Sequence, residues 1–225
     1  LHRDLAFLTG NPRFDGYRTV PPPAKPLVLI NCNFLLGLGG ERGPGWIKQV
    51  LEVVRDLGVD YRVTKHPRDD TDLSGVDNVL PSGAYKIGEQ LAACSVLVSR
   101  DSSLPYEAVL SGRPVIYFDP YHEKERTLRE DDSGLIRKCD TVDALRAALL
   151  ETQTAAAAPT ADRGYDPYMY LFTEPGAGST RRVLLALHTL ATHADRYRTT
   201  DEREDSGAAA ALREWLELRV RPAAC

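Results

Sequence analysis

Residues 96–120, VLVSRDSSLPYEAVLSGRPVIYFDP, hold the densest grouping of side chains that could do chemistry. Residues 96–99 read as a strand, a short polar turn follows, and a helix begins near Ser103 or Leu104. The N–H groups of a helix's first turn have no partner within the helix, and the helix dipole there favours negative charge. A phosphate suits such a place, held by those N–H groups and by the hydroxyls of Ser102 and Ser103. Glu107 falls one turn after Ser103 and projects from the same side of the helix. Its carboxylate would repel a phosphate but can accept hydrogen bonds from the two hydroxyls of a ribose. The same residues also fit a plain helix cap, with Ser102 or Ser103 at the N-cap. The location tilts toward a ligand, because open α/β sheets bind ligands at the carboxyl ends of their strands.

A site of this kind needs alternating strands and helices around it. Residues 5–9 predict a short strand ending in the turn Gly10-Asn11-Pro12, and the proline-rich residues 20–26 a stiff extended linker. Residues 27–31 form a compact apolar run, a buried strand. The glycine-rich loop 37–45 then leads into a helix over 46–57, whose Ile47, Val50, Leu51 and Val54 share one face. Strands are expected at 61–65, 78–80, 96–99, 114–118 and 134–138, with helices at 85–94, 104–110 and 142–150, the last N-capped by Thr141. This alternation implies an α/β, doubly wound parallel sheet covered on both faces. Beyond it come an alanine-rich linker (152–161), an aromatic segment (165–172) and a strong helix over 181–193. A charged, disordered stretch (197–207) and a short final helix (208–220) complete a C-terminal helical tail. The expected organisation is therefore a junction strand and linker (1–26), a nucleotide-binding α/β domain (27–195) and a charged linker with a short helix (196–225).

Bulk properties narrow the function. A length of 225 residues suffices for one well-packed domain and a tail, and is short for two. A net charge of −4 gives no footprint for nucleic acid and no solvating acidic tract. The cysteines (Cys32, Cys94, Cys139 and Cys225) are widely spaced, with no C-x-x-C and no metal-ligand pattern, and Cys32 and Cys94 sit in apolar runs that suit buried free thiols. Neither a signal peptide nor an apolar run of bilayer length is present, so a cytoplasmic location is expected, with peripheral docking at the inner membrane face left open. No cofactor is expected. The chain opens on Leu1 rather than Met, which suggests a piece of a longer protein.

Several motifs recur in a recognisable order. Thr9-Gly10-Asn11-Pro12-Arg13-Phe14-Asp15 comes first, then Leu29-Ile30-Asn31-Cys32-Asn33-Phe34, then Lys65-His66-Pro67. The serine turn with its Glu107-Ala108 helix follows, then Gly112-Arg113-Pro114-Val115-Ile116, Tyr117-Phe118-Asp119-Pro120 and Tyr121-His122-Glu123-Lys124. With these motifs, spread over roughly residues 5–190, the chain resembles the C-terminal, donor-binding half of GT-B transferases. Within that group it is most similar to the CDP-glycerol glycerophosphotransferases and to capsular and surface-carbohydrate transferases.

The resemblance implies a Rossmann-like domain that binds a nucleoside diphosphate donor of UDP, CDP or GDP type. It implies that His66 approaches the donor phosphates, that Ser102 and Ser103 hold the pyrophosphate and that Glu107 takes the ribose. Asn11 and Arg13 would sit at an interdomain cleft, and residues 81–86, including Lys86, near the base. Taken alone, a His-Pro pair is more often a turn, Arg13 a surface ion-pair partner and Lys86 a solvated helix start. The turn departs from its relatives in reading Arg100-Asp101-Ser102-Ser103; Arg100 either pairs with Asp101 or adds positive charge at the phosphate. Transfer would be metal-independent, toward a polymer or lipid-linked acceptor. The general base would come from an N-terminal domain or partner subunit, because the region before Pro21 is too short for a second half. An epimerase-like enzyme acting on a nucleotide sugar, and a non-catalytic interaction module on the same fold, are the alternatives.

Overall fold

A computed structural model of the protein describes residues 9–17, 19–33, 42–66, 69, 71–81, 86–100, 102–122, 135–154 and 178–192. The chain divides into two compact units, one formed by Leu1–Gly16 with Pro167–Cys225 and the other by Tyr17–Asp166.

The larger unit is built on five parallel strands: β1 (Val28–Cys32), β2 (Tyr61–Lys65), β3 (Val96–Ser99), β4 (Val115–Phe118) and β5 (Ile136–Cys139). Between and after them lie α1 (Gly43–Asp56), α2 (Ile87–Ala93), α3 (Leu104–Leu110) and α4 (Val142–Thr154). The α/β, doubly wound class expected from the sequence is the one observed. Every residue of β1, β3 and β4 is buried, as parallel strands covered on both faces must be. The edge strands β2 and β5 instead mix buried and exposed positions. Alternation along the inner strands sorts the two faces. Val28, Ile30, Cys32, Val96, Val98, Ile116 and Phe118 form one core with Trp46, Ile47, Val50 and Leu51 of α1 and Leu145 and Leu149 of α4. Leu29, Leu97 and Tyr117 point the other way and are equally buried, and α3 lies against β3 and β4.

The sheet order is β2-β1-β3-β4-β5. Val79 adds a single parallel bridge to Val63 outside β2. Counting that rudimentary strand, the spatial order by chain position becomes third, second, first, fourth, fifth, sixth, the dinucleotide-binding arrangement. The strand expected at 78–80 is thus reduced to one bridge. Asn78 adopts a positive φ of 60°, which breaks the extended run, and Val79 is 36% exposed at the rim. Helix α1 begins earlier than expected because Pro44 fits a first turn, where its missing N–H costs nothing. Helix α2 is shorter than expected, and α4 runs on to Thr154, with Thr141 Oγ1 accepting from Ala144 N at 3.2 Å. Thr9, the last residue of the strand expected over 5–9, is not in a strand; residues 5–8, the glycine-rich residues 37–41, the aromatic segment 165–172 and the tail 197–220 lie outside the described residues.

The proline-rich segment is no free linker. Val20 N donates to Ser111 O at 3.1 Å. The side chain of Arg113, 1% exposed, donates to Val20 O (2.8 Å), Pro21 O (2.7 Å), Leu91 O (2.9 Å) and Ala92 O (3.2 Å). The latter two carbonyls end α2, where helix carbonyls lack partners and the dipole is negative. Burial draws the Arg113 pKa below its ordinary value, with Cys94 acting the other way; a guanidinium stays charged regardless. Replacing Arg113 by Met should lower the unfolding free energy by about 2–4 kcal/mol, since buried carbonyls lose their donors. Arg113→Lys should recover less than half of that, because an ammonium cannot reproduce the fork. Urea midpoints of the purified variants measure both, and a loss below about 0.5 kcal/mol would contradict the account.

Candidate functional site

In a sheet of this order the chain leaves β1 toward β2 and later returns to β3 on β1's other side. The crossover helices diverge there and open a crevice at the carboxyl ends of β1 and β3. The floor of that switch point is polar yet buried. Asn31 and Ser99, paired in register as the last residues β1 and β3 share, are joined by Asn31 Nδ2 donating to Ser99 Oγ at 3.2 Å. Ser99 Oγ donates in turn to Arg100 O at 3.0 Å. Asn31 is 6% exposed and Ser99 fully buried, so neither would stand in a purely structural sheet interior without such pairing.

The structure brings several of the expected residues to this edge. Arg100 follows β3 directly and is buried. Ser102 is half-buried, and its Oγ accepts from Leu104 N at 3.2 Å, the bond of a helix-capping serine. Ser103 is exposed, has helical dihedrals and makes no capping bond through its side chain. His66 sits at the end of β2, half-buried, with its N–H donating to Cys32 O at 3.0 Å, which ties the ends of β2 and β1 together. The turn beyond is set by Asp69, which is buried. Its N–H donates to His66 O (2.9 Å), and its Oδ1 accepts from Thr71 N (2.8 Å). Lys86 is exposed at the N-cap of α2.

Glu107 is placed differently from the open carboxylate its spacing suggests. It is 1% exposed, and Oε2 receives a hydrogen bond from the hydroxyl of Tyr17. Sequence reasoning missed Tyr17, since 90 residues separate it from Glu107 and no local pattern links them. It also missed Asp119, half-buried just after β4, whose Oδ1 is buried without a hydrogen-bond partner among the described residues. Neither Cys32 nor Cys94 offers a nucleophile. Burial, aided by Asp69 and opposed by Lys65, pushes Cys32 up to about 12, and burial pushes Cys94 to about 12 as well. Among the described residues no group of His, Cys, Asp and Glu could hold a metal ion, and no helix is long and apolar enough to cross a membrane.

Asn11 and Arg13 belong to the smaller unit, where the motif that carries them has a local task. Asn11 Oδ1 accepts from Arg13 N at 3.0 Å and starts a 3-10 turn, Pro12–Phe14. The turn delivers Asp15 to the start of α5 (Ser179–Thr192), where its oxygens accept from Ser179 N (3.1 Å) and Thr180 N (2.8 Å). Arg182 Nε reaches back to Thr9 O at 3.0 Å. Gly10, at φ +72°, lies so close that a Cβ would meet Ser179 Oγ at 2.5 Å. Arg13 itself is exposed.

No protein-family model matches the sequence, and no curated protein matches it. Solved structures do. The UDP-GlcNAc 2-epimerase of Methanocaldococcus jannaschii, in complex with UDP-GlcNAc and UDP, is similar over 77% of this chain and 47% of its own, at 13% identity and a TM-score of 0.49. A glycotransferase of kitacinnamycin covers 75% of this chain and 45% of its own (17% identity, TM-score 0.45). The wall teichoic acid polymerase TagF, with CDPG, covers 89% and 43% (14% identity, TM-score 0.42). The chain thus spans less than half the length of each of these structures.

Asp15 gives this region a pH signature. Burial alone would raise its pKa, but the hydrogen bonds from Thr180 and Ser179 outweigh it and lower the value from 3.8 to about 2. A depressed carboxyl stabilises the fold fully above its unfolded value and loses that contribution as pH falls through the folded one. The Ser179 and Thr180 amides should therefore stay protected at pH 3 and lose protection near pH 2. Carboxyl NMR of Asp15 checks the midpoint, and a value near 3.8 would contradict the cap.

Proposed function

We propose that this chain is the donor-binding half of a GT-B-type transferase. Such an enzyme moves a sugar or polyol phosphate from a nucleoside diphosphate donor to a surface-polysaccharide or teichoic-acid-type acceptor. One observation carries the reading: a polar edge containing His66, Arg100 and Ser102 stands at the carboxyl ends of the strands around the β1–β3 switch point. The inner strands β1, β3 and β4 are buried along their whole length, so this edge is where their chemistry is available.

Each side chain then has a role set by its charge. Arg100 and His66 face the pyrophosphate, Arg100 as a cation and His66 as a hydrogen-bond donor. Ser102 and Ser103 hold phosphate oxygens, and Glu107 accepts from the ribose hydroxyls. Lys86, at the start of α2, lies toward the base. Asn11 and Arg13 serve the cleft between halves. When the bond from donor phosphate to the transferred group breaks, negative charge gathers on the departing nucleotide. Donors already in position stabilise that charge without reorganising. The base that activates the acceptor hydroxyl belongs to a second domain or a partner subunit.

Calorimetric titration with CDP, UDP and GDP tests this. One nucleotide should bind, and Glu107→Gln, isosteric with the native side chain, should weaken it by about tenfold or more. Replacing Ser102 and Ser103 together with alanine should weaken it by a similar factor. If circular dichroism shows folded protein and no nucleotide binds, the donor-binding reading is wrong for this chain and a non-catalytic module takes its place.

A further inference from the structure

The contact between Tyr17 and Glu107 bears on how a ligand could use that carboxylate. A ribose diol needs an acceptor it can reach. Glu107 is 1% exposed, and its Oε2 is engaged by the Tyr17 hydroxyl, so in the free chain the carboxylate is closed. The closure is built into the fold. Tyr17 and Val20 both meet α3: Tyr17 bonds to Glu107, and Val20 N donates to Ser111 O at the helix's end. Ser111 in turn donates to Glu107 O through both its N–H (3.1 Å) and its hydroxyl (2.9 Å). The Arg113 guanidinium fixes Val20 O and Pro21 O behind them. The far end of the strap is thus clamped to buried structure, while Tyr17, half-buried, holds the near end over the carboxylate.

We propose that Tyr17 is a gate on Glu107: its phenol occupies in the free chain the place that a ribose hydroxyl takes in the complex. This rests on the assignment of Glu107 to ribose. Entry exchanges one hydroxyl-to-carboxylate hydrogen bond for another and requires Tyr17 to swing away. Affinity is reduced by the fraction of molecules that are closed, and only for ligands that use the carboxylate. A nucleotide without ribose hydroxyls escapes the penalty. Tyr17 therefore sets how strongly the site distinguishes ribonucleotides from their dideoxy counterparts.

The test titrates the full chain with CDP, UDP and GDP and with the dideoxy counterpart of each. Tyr17→Phe removes the competing hydroxyl and should tighten ribonucleotide binding about three- to tenfold while leaving dideoxynucleotide binding unchanged. Tyr17→Ala, which also removes the ring, should shift binding in the same direction, and circular dichroism checks that both variants fold. Ribonucleotide affinity that stays the same or falls, or an equal shift for both ligand classes, would overturn the gate. A different result marks failure of the ribose assignment: wild type and Glu107→Gln would each bind ribo- and dideoxynucleotides alike.

Discussion

The guanidinium of Arg113 joins three segments that lie far apart in the sequence: the end of α2, the entry to β4 and the strap at Val20 and Pro21. A cation buried to this degree is tolerated only if its donors are met, and here backbone carbonyls meet them. Two of those carbonyls close a helix, so the charge also sits at the favourable end of a dipole. The Arg113 bonds to Val20 O and Pro21 O add to the Val20–Ser111 bond in holding the chain that carries Tyr17 beside α3. The packing of the larger unit and the accessibility of its proposed ribose site thus share one anchor.

The sheet adds a second constraint. Strands buried on both faces leave polar side chains only the strand ends, and parallel strands put all carboxyl ends on one edge. Asn31, His66, Ser99, Arg100, Ser102 and Asp119 gather there because each lies at the end of a strand or closely follows one. Donors and acceptors concentrated along one partly buried edge reinforce one another. The smaller unit follows the same logic on a lesser scale, with the Asp15 carboxylate set against the start of α5.

Much of this could be read from the sequence, for physical reasons that can be named. Unbroken apolar runs such as residues 28–30 and 96–98 announce strands buried on both faces, and β2 and β3 fall where their runs predict. The 78–80 run misled because a left-handed Asn78 is a matter of backbone conformation that three apolar or amide residues do not reveal. Helix limits moved at Gly43 and Thr154 because propensity fixes ends less sharply than caps and packing do. At the site, residues next to strand ends in the sequence, His66, Arg100 and Ser102, were accessible to reading along the chain. Tyr17 over Glu107 and Arg113 beneath Val20 were not, because each contact joins residues about ninety positions apart that no local pattern links. Gly112-Arg113-Pro114 was visible as a motif, but its task, a buried clamp following a glycine at φ +74°, appears only in three dimensions.

The central claim is that nucleotide binds at the carboxyl edge around the β1–β3 switch point. Backbone-amide NMR of the full chain during addition of CDP, UDP or GDP tests it most directly. The account predicts that the perturbed amides are those of Asn31, Cys32, His66, Arg100, Ser102 and Ser103, while Val28, Tyr61, Val96 and Val115 at the opposite edge stay in place. Perturbations centred on that opposite edge or on α5, or a saturating nucleotide that moves none of the named amides, would contradict it.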